Sequence, residues 1–247
     1  MQTHYIKNLV GAESDNIIVY LPRLWKSNGS RSAIILCGGT NDSWMLGFNE
    51  NAVLPIARAL TAAGYAVGWS DLGINQYANQ NAMNRIDALR TYLQSPSIGA
   101  RSDKIALAGF SLGGLNAFAY AGNNPTKTLC MTGWCPLVNM QLAVDSIDIN
   151  PYVTASYGGA WTETQYGATS NPLTMAIAGK YTGIPTEIHY SSNDPVIPQS
   201  SITQFISAVN SSDTVSVNTG AYGHSWQAAN NQQSIDALLN QLQQASS

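Results

Sequence analysis

A serine between glycines follows a strongly apolar stretch of the chain. The segment Gly109-Phe110-Ser111-Leu112-Gly113-Gly114 fits the pattern G-x-S-x-G. A predicted buried strand, 104–110, comes before it, and a predicted helix, 112–121, comes directly after it. The glycines let the backbone pass close to a serine held on a sharp turn. This context predicts that Ser111 is a nucleophile; the alternative is a glycine-rich turn that happens to contain serine.

A serine hydroxyl needs a base to remove its proton, and the chain has three histidines. His4 lies at the N-terminus. His189 lies inside a predicted strand, 186–190, where a histidine is more often structural. His224 lies in a loop between the last predicted strand and the last predicted helix, so we predict that it is the base.

An acid that orients the base is expected after a strand that lies between the nucleophile and the base in the chain. Asp194 is the only carboxylate in the loop that follows strand 186–190. A turn aspartate before proline is its structural alternative. Asp145 and Asp148, in an irregular region, and Asp213, at the wrong end of its strand, are the competing acids. The sequence therefore favours Asp194.

Hydrolysis through a serine also requires donors for the oxyanion of the tetrahedral intermediate. The backbone N–H of Leu112, the residue after the nucleophile, is one predicted donor. The loop after an earlier strand contains Gly38 and Gly39, which allow close backbone approach. The second predicted donor is the N–H of Gly39 or of Thr40, and a plain Gly-Gly turn is the alternative.

Strands alternate with helices along the chain, which predicts a mostly parallel sheet with helices on both faces in one domain, 1–247. The predicted strands are 16–22, 32–37, 65–70, 104–110, 127–133, 186–190 and 215–218. The predicted helices are 51–64, 81–94, 112–121, 201–209 and 234–243. Because ligands bind beyond the carboxyl ends of parallel strands, the residues after these strands are expected to form the site.

The composition excludes several classes of function. Charged residues make up 10% of the chain, the net charge is −3, and the sequence has no cluster of lysine and arginine. We therefore expect no nucleic-acid partner and a neutral substrate rather than an anionic one. No apolar stretch reaches the length of a membrane span. The three cysteines, Cys37, Cys130 and Cys135, are predicted to be free buried thiols, without a disulfide framework or a zinc site, and a Cys130–Cys135 disulfide is the alternative.

These motifs, taken in chain order, resemble the α/β-hydrolase superfamily. The matching pieces are Gly38-Gly39, the turn from Gly109 to Gly114, Asp194 with Pro195-Val196 behind it, and Gly223-His224. The turn Ser70-Asp71-Leu72-Gly73 is similar to a shortened form of a family turn. The resemblance implies an eight-stranded, mostly parallel sheet and acyl transfer to water through an acyl-enzyme, without metal or cofactor. The compact esterase and peptidase-like branches are the most similar, and serine in place of cysteine disfavours dienelactone-hydrolase chemistry.

Family members often carry a lid between the strand near Gly133 and the acid-bearing strand, so the segment 138–183 is a predicted lid. Its aromatic residues line a pocket or pack the segment onto the body, and both alternatives stay open. The predicted substrate-binding residues are Trp134, Tyr157, Trp161 and Trp226.

The predicted function is hydrolysis of an ester of a neutral small molecule, lipid or carbohydrate, with carbohydrate deacetylation as one hypothesis. The alternatives are a peptidase or amidase, a thioesterase, a transacylase, a binding module that keeps the fold, and an enzyme closed by its insert until a partner opens it. The polar N-terminus lacks the order of a signal peptide. The compartment stays open between cytoplasmic and exported or virion-associated by another route, as does the oligomeric state.

Overall fold

The structure is a computed structural model, and it describes residues 1–6, 16–70, 72, 76–209 and 215–246. Asp71, Gly73 and Asp213, which the sequence analysis considered, lie outside the described residues.

A sheet of eight strands runs through the described part of the chain in the spatial order β1-β2-β4-β3-β5-β6-β7-β8. Its strands are β1 (Gln2–Ile6), β2 (Ile17–Leu21), β3 (Ala33–Cys37), β4 (Ala66–Ser70), β5 (Ile105–Phe110), β6 (Thr128–Trp134), β7 (Thr186–Ser191) and β8 (Val215–Gly220). β2 pairs antiparallel with both β1 and β4, and every pairing from β4 to β8 is parallel. The predicted mostly parallel sheet is therefore confirmed.

Helices cover both faces of this sheet. They are α1 (Val53–Ala62), α2 (Gln80–Gln94), α3 (Leu112–Asn123), α4 (Met140–Asp145), α5 (Asn150–Tyr157), α6 (Ala168–Ser170), α7 (Pro172–Ile177), α8 (Gln199–Val209), α9 (Gln227–Asn230) and α10 (Gln232–Ser246). Short 3-10 turns span Trp44–Phe48 and Pro125–Lys127, and a π-helical turn spans Glu163–Gly167. Parallel strands need crossover connections, which the helices between them provide.

The core lies in two layers, one on each side of the sheet. On β2, Ile17 and Val19 join the layer packed against α2, α3 and α8, whereas Ile18 and Tyr20 join the layer packed against α1 and α10. Alternation arises because successive strand side chains point to opposite faces. With both faces covered, strands such as β3 and β5 are buried along their whole length, which explains their continuous apolar sequences.

The sequence analysis missed two parts of this architecture. β1 pairs with β2 at the edge of the sheet, and because the side chains of Gln2, Thr3 and His4 are exposed, this strand lacks the apolar run of the central strands. The segment 138–183 lacks a long helical period, yet it contains α4 to α7. Each of these helices has eight residues or fewer, too short for a periodic pattern to be seen.

Candidate active site

The turn between β5 and α3 holds Ser111 in an uncommon backbone conformation, with φ 54° and ψ −119°. Its N–H donates to the carbonyl of Trp134 at 3.0 Å, and its carbonyl accepts from the N–H of Leu137 at 3.0 Å. A Cβ on Gly109 would overlap the backbone of Gly113, and a Cβ on Gly113 would overlap the carbonyl oxygen of Cys37. The glycines of the sequence motif are thus required by close backbone packing around a strained serine.

The three side chains singled out from the sequence lie together at the carboxyl edge of the sheet. The Oγ of Ser111 lies 2.8 Å from Nε2 of His224, and Nδ1 of His224 lies 2.8 Å from Oδ2 of Asp194. These contacts join residues 113 and 30 positions apart in the sequence. The strand order explains this, since β5, β7 and β8 all end at this edge. Such a chain of contacts can pass the serine proton to the imidazole while the carboxylate fixes the ring.

Two backbone N–H groups hold the carboxylate in place. Oδ1 of Asp194 accepts from the N–H of Val196 at 2.8 Å and of Ile197 at 2.9 Å, which leaves Oδ2 directed at the imidazole. Its side chain is 3% exposed and that of His224 is 15% exposed, so water screens the pair only weakly. The competing acids Asp145 and Asp148 are exposed, and the carboxylate of Asp145 accepts from the side-chain amide of Gln141 at 2.7 Å.

A second set of hydrogen bonds joins the acid loop to the base loop, and sequence reasoning missed it. Oδ1 of Asn193 accepts from the N–H of Gly223 at 2.9 Å and from the hydroxyl of Ser191 at 2.6 Å. The Ser191 hydroxyl in turn accepts from the N–H of Tyr222 at 2.8 Å. Asn193 and Ser191 therefore set the distance between the two loops. The Ser-Ser-Asn run directly before Asp194 was the available signal.

The other described histidines lie outside this arrangement. His189 is 1% exposed in β7, with Nδ1 at 2.9 Å from Oγ of Ser234 and Nε2 at 2.9 Å from a carboxylate oxygen of Glu187. It is a buried structural residue, in line with its strand position. His4 lies on the edge strand β1.

In the loop after β3, one of the two predicted oxyanion donors already has a hydrogen-bond partner. The N–H of Gly39 donates to Oδ2 of Asp42 at 2.6 Å, so it is already engaged. The sequence left Gly39 and Thr40 open, and this contact leaves Thr40 as the candidate. Leu112 is the first residue of α3, where backbone N–H groups have no partner within the helix. Its N–H is therefore suited to donate a hydrogen bond to an oxygen on which negative charge develops.

The cysteines are free and buried, as predicted. Cys135, just after β6, has a positive φ of 43°, a conformation that side chains other than glycine and asparagine rarely adopt. Its Sγ lies 3.8 Å from the carbonyl oxygen of Gly223. Burial, with the adjacent charge of Asp194 and a hydrogen bond to its carboxylate, raises the pKa of this thiol to about 12. Sγ and the nearest donor atoms of Asp194 and His224 all lie within 4.8 Å of one another.

The predicted substrate-binding tryptophans are almost fully buried. Trp134 has no exposed surface, and Trp161 is 4% exposed with its Nε1–H donating to Ser170 at 2.9 Å. Trp226 is 8% exposed and packs on Phe110, ring centroid to ring centroid 5.0 Å. Their role in substrate binding stays a prediction. A position near the carboxyl edge does not distinguish pocket from core, because the loops there need apolar anchors too.

Phe110 joins this aromatic core to the base. Its ring also lies 5.0 Å from the imidazole of His224, centroid to centroid. The ring of Phe110 therefore packs against both the imidazole of His224 and the indole of Trp226.

Tyr157, the fourth predicted residue, lines an open cavity of about 630 Å³ with Tyr166, 4.6 Å from it between ring centroids. Its hydroxyl donates to the carbonyl of Tyr77 at 2.7 Å. Burial raises the pKa of this hydroxyl to about 12, so it stays a donor. The remaining wall is rich in amide side chains, namely Asn79, Gln80, Asn81, Asn123 and Asn124.

The segment 138–183 is fixed along α3. The hydroxyl of Tyr181 donates to the carbonyl of Phe118 at 3.1 Å, and the amide of Asn123 donates to the carbonyl of Thr169 at 2.7 Å. A closing motion of this segment stays a prediction.

The structure brings together a group of cationic side chains that the sequence does not show as a cluster. A cavity of about 780 Å³ before the start of β3 and β4 is lined by four cationic side chains, those of Arg23, Lys26, Arg31 and Arg58. They form a cluster that sequence spacing did not predict. This cavity lies at the amino-terminal edge of these strands, opposite the edge that carries Ser111, so it does not alter the expectation of a neutral substrate there.

Comparison with solved structures defines the fold. A truncated carbohydrate esterase from gut microbiota superposes with a TM-score of 0.78 and 14% identity over 100% of this chain and 96% of its own. The substrate-bound fluorophosphonate-binding serine hydrolase F of Staphylococcus aureus gives 0.76 and 14% over 100% and 98%. An S-formylglutathione hydrolase from Agrobacterium tumefaciens gives 0.74 and 14% over 98% and 94%.

The chain therefore has the α/β-hydrolase fold, as the motif resemblance implied. No protein-family model and no curated protein matches the sequence. Within the described residues, no helix combines the length and the apolar character needed to cross a membrane.

Proposed function

We propose that this protein is a serine hydrolase that cleaves an ester of a neutral small molecule, lipid or carbohydrate. The observation that carries the proposal is the chain of 2.8 Å contacts from Ser111 through His224 to Asp194, on a strained turn. Strain at a turn that carries a nucleophile is typical of functional sites.

In the proposed reaction, His224 takes the proton of Ser111 while Oγ attacks the ester carbonyl carbon. Asp194 holds the imidazole through Nδ1 and stabilises its positive charge. The N–H groups of Leu112 and Thr40 bind the oxyanion. The imidazolium returns the proton to the leaving alcohol, and an acyl-serine remains. Water, activated by the same base, then releases the acid and restores the serine.

Fluorophosphonate labelling followed by peptide mapping tests this proposal. We expect one adduct on Ser111 of the wild-type protein and none in Ser111→Ala or His224→Ala. Ser200→Ala and His4→Ala are matched controls, because both residues are exposed and lie outside the site. No adduct on folded wild-type protein, with or without detergent, would overturn the proposal and favour a binding module that keeps the fold.

A panel of substrates is needed to distinguish an esterase from a peptidase, a thioesterase or a transacylase, because all four share the acyl-enzyme half-reaction. The panel includes esters of short and long acyl chains, thioesters, amides and acetylated glycans. We expect the esters to be cleaved fastest. Faster turnover of amides or thioesters, or transfer of the acyl group to an added alcohol in preference to water, would replace the ester assignment.

We propose that the alcohol part of the ester is a carbohydrate, and that the cavity beside Tyr157 holds a part of it away from the cleaved bond, because its wall includes Asn123 at the far end of α3 and none of Ser111, Asp194 and His224. Aromatic rings and amides together suit a sugar, whose ring faces are apolar and whose hydroxyls need donors and acceptors. We expect Tyr166→Ala to raise KM for acetylated glycans and to leave the hydrolysis of p-nitrophenyl acetate unchanged. Tyr152→Ala is the control, because Tyr152 is exposed and is not part of that wall. Equal effects of Tyr166→Ala on both substrates would contradict a glycan subsite.

A further inference from the structure

The thiol of Cys135 lies beside the acid and base that the sequence places far from it. Sγ of Cys135, a carboxylate oxygen of Asp194 and a ring nitrogen of His224 lie within 4.8 Å of one another. Sulfur, oxygen and imidazole nitrogen are the donor types that bind zinc and cadmium. The carbonyl oxygen of Gly223, 3.8 Å from Sγ, adds a further oxygen.

We propose that this cluster is an inhibitory site for a thiophilic divalent cation, with Cys135, Asp194 and His224 as its ligands. That the ion inhibits hydrolysis rests on the function proposed above. The binding of the ion to this cluster does not depend on that function.

The separations are close to those of a metal site. In tetrahedral coordination with zinc–ligand distances of about 2.0–2.3 Å, donor atoms are roughly 3.4–3.6 Å apart. The separation here is 2.8 Å between Nδ1 of His224 and Oδ2 of Asp194. Sγ of Cys135 and the carbonyl oxygen of Gly223 are 3.8 Å apart. Sγ of Cys135 lies within 4.8 Å of the other two ligand atoms, so shifts of about 1 Å bring the three donors to coordination distance.

The site lies directly beneath an exposed loop. The side chains of Asp194 and His224 are 3% and 15% exposed, and the loop residues Asn193 and Pro195 that lie over them are exposed, so an ion enters by displacement of this loop. Oδ1 of Asp194 stays on the N–H groups of Val196 and Ile197, so only Oδ2 has to exchange its contact with the imidazole for the ion.

The proton balance explains why the ion would inhibit. The Cys135 thiol loses its proton to solvent, and its sulfur forms the metal bond as a thiolate. A metal bond at Nδ1 moves the single proton of the neutral imidazole to Nε2, the nitrogen that faces Ser111. An imidazole that carries a proton at Nε2 cannot accept the serine proton. The nucleophile is thus switched off without any contact to the ion.

Titration with cadmium chloride tests binding independently of activity. We expect the ultraviolet charge-transfer band of a cadmium–thiolate bond to saturate at one ion per chain in the wild-type protein, in Ser111→Ala and in Cys130→Ala. Cys130 is a buried free thiol within β6 and serves as the matched control. Loss of an outer-shell partner costs about 10–100-fold in metal affinity, so Cys135→Ala, which lacks the ligand itself, is expected to bind at least about 100-fold more weakly.

The absence of the band in the wild-type protein, or its persistence in Cys135→Ala, would overturn the site. Thermal unfolding shows whether Cys135→Ala is folded, and Cys135→Ser, closer in shape, replaces it if it is not. The cadmium titration and its two outcomes apply to Cys135→Ser in the same way as to Cys135→Ala.

Fluorophosphonate labelling with zinc chloride tests inhibition. General-base catalysis contributes about 10²–10⁴-fold, so saturation with zinc is expected to slow the labelling of Ser111 at least about 100-fold. EDTA should restore it. Unchanged labelling of the loaded protein would overturn the inhibitory role. If metal-free protein is not labelled, the proposed function fails, while the cadmium titration still decides whether the site exists.

Discussion

The side chain of Asn193 accepts a hydrogen bond from the backbone N–H of Gly223 at 2.9 Å, and so joins the loop of the candidate acid to that of the candidate base. Loop-to-loop contacts of this kind set the geometry within which a proton can move. A displacement of about 1 Å at a reacting group can cost 10²-fold in rate.

Asn193→Ala removes this acceptor, so the loops carrying Asp194 and His224 lose a fixed separation. We expect kcat to fall about 10-fold with little change in KM, since the substrate contacts stay in place. Asn193→Asp keeps an acceptor and should recover most of the rate. The control is Ser192→Ala, which removes only a surface hydrogen bond to Gly220. Equal rates for Asn193→Ala and Ser192→Ala would show that the contact does not position the site.

Asp42 fixes the loop that carries Thr40, because its carboxylate engages the N–H of Gly39. Removing one oxyanion donor outright costs about 10²–10³-fold in kcat, and a loosened loop loses part of that. We therefore expect about a 10-fold fall in kcat for Asp42→Ala, with recovery in Asp42→Asn, which keeps the acceptor oxygen. A rise in KM with unchanged kcat, or no recovery of kcat in Asp42→Asn, would argue against Thr40 as the second oxyanion donor.

Gly113 packs against the end of β3 so closely that an alanine there would overlap the carbonyl oxygen of Cys37. Overpacking of this kind costs about 1–3 kcal/mol, and contact with backbone places Gly113→Ala at the upper end of that range. The free energy of unfolding in urea measures the loss. Gly159→Ala is the control, because its added Cβ enters open space, and it should stay within about 0.5 kcal/mol of wild type. Similar stability of the two variants would refute the packing argument.

Asp87 joins α2 to α3 and to the start of β6. Its carboxylate accepts from Arg90 at 3.0 Å, from the hydroxyl of Tyr120 at 2.7 Å and from Lys127 at 3.1 Å. Burial alone would raise the pKa of this carboxyl, but the hydrogen bonds from these three groups outweigh it and lower the pKa to about 2.

A folded-state pKa below the unfolded value of about 3.9 stabilises the protein above that pH, and the stabilisation disappears as the pH falls towards 2. Because the side chain is 40% exposed and screened, we expect Asp87→Asn to cost only about 1 kcal/mol at neutral pH. Chemical unfolding between pH 7 and pH 2 should show this difference shrinking over the acid range. Asp236→Asn, on the exposed side of α10, is the control. A difference that stays constant with pH would contradict the lowered pKa.

The local order of the chain could be predicted from its sequence. Continuous apolar runs ended by glycine predicted β3 and β5, because a strand buried on both faces is apolar at every position. Apolar residues at helical spacing predicted α1 and α2, because a helix buried on one face is apolar only along that face. Parallel strands end at one edge, so Ser111, Asp194 and His224 were predicted to meet from their places after β5, β7 and β8. The structure brings those side chains together. Their catalytic roles stay predictions until labelling is done.

The tertiary structure alone decided which neighbours these residues have. The Asp42 carboxylate takes the N–H of Gly39, the Cys135 thiol lies beside the acid and base, and Trp134 is buried in the core. Four cationic side chains, dispersed in the sequence, surround one cavity. Periodicity reports only which face of an element is buried. Contacts between loops depend on side-chain directions and on distances between residues that are up to 113 positions apart in this site, which no local pattern encodes.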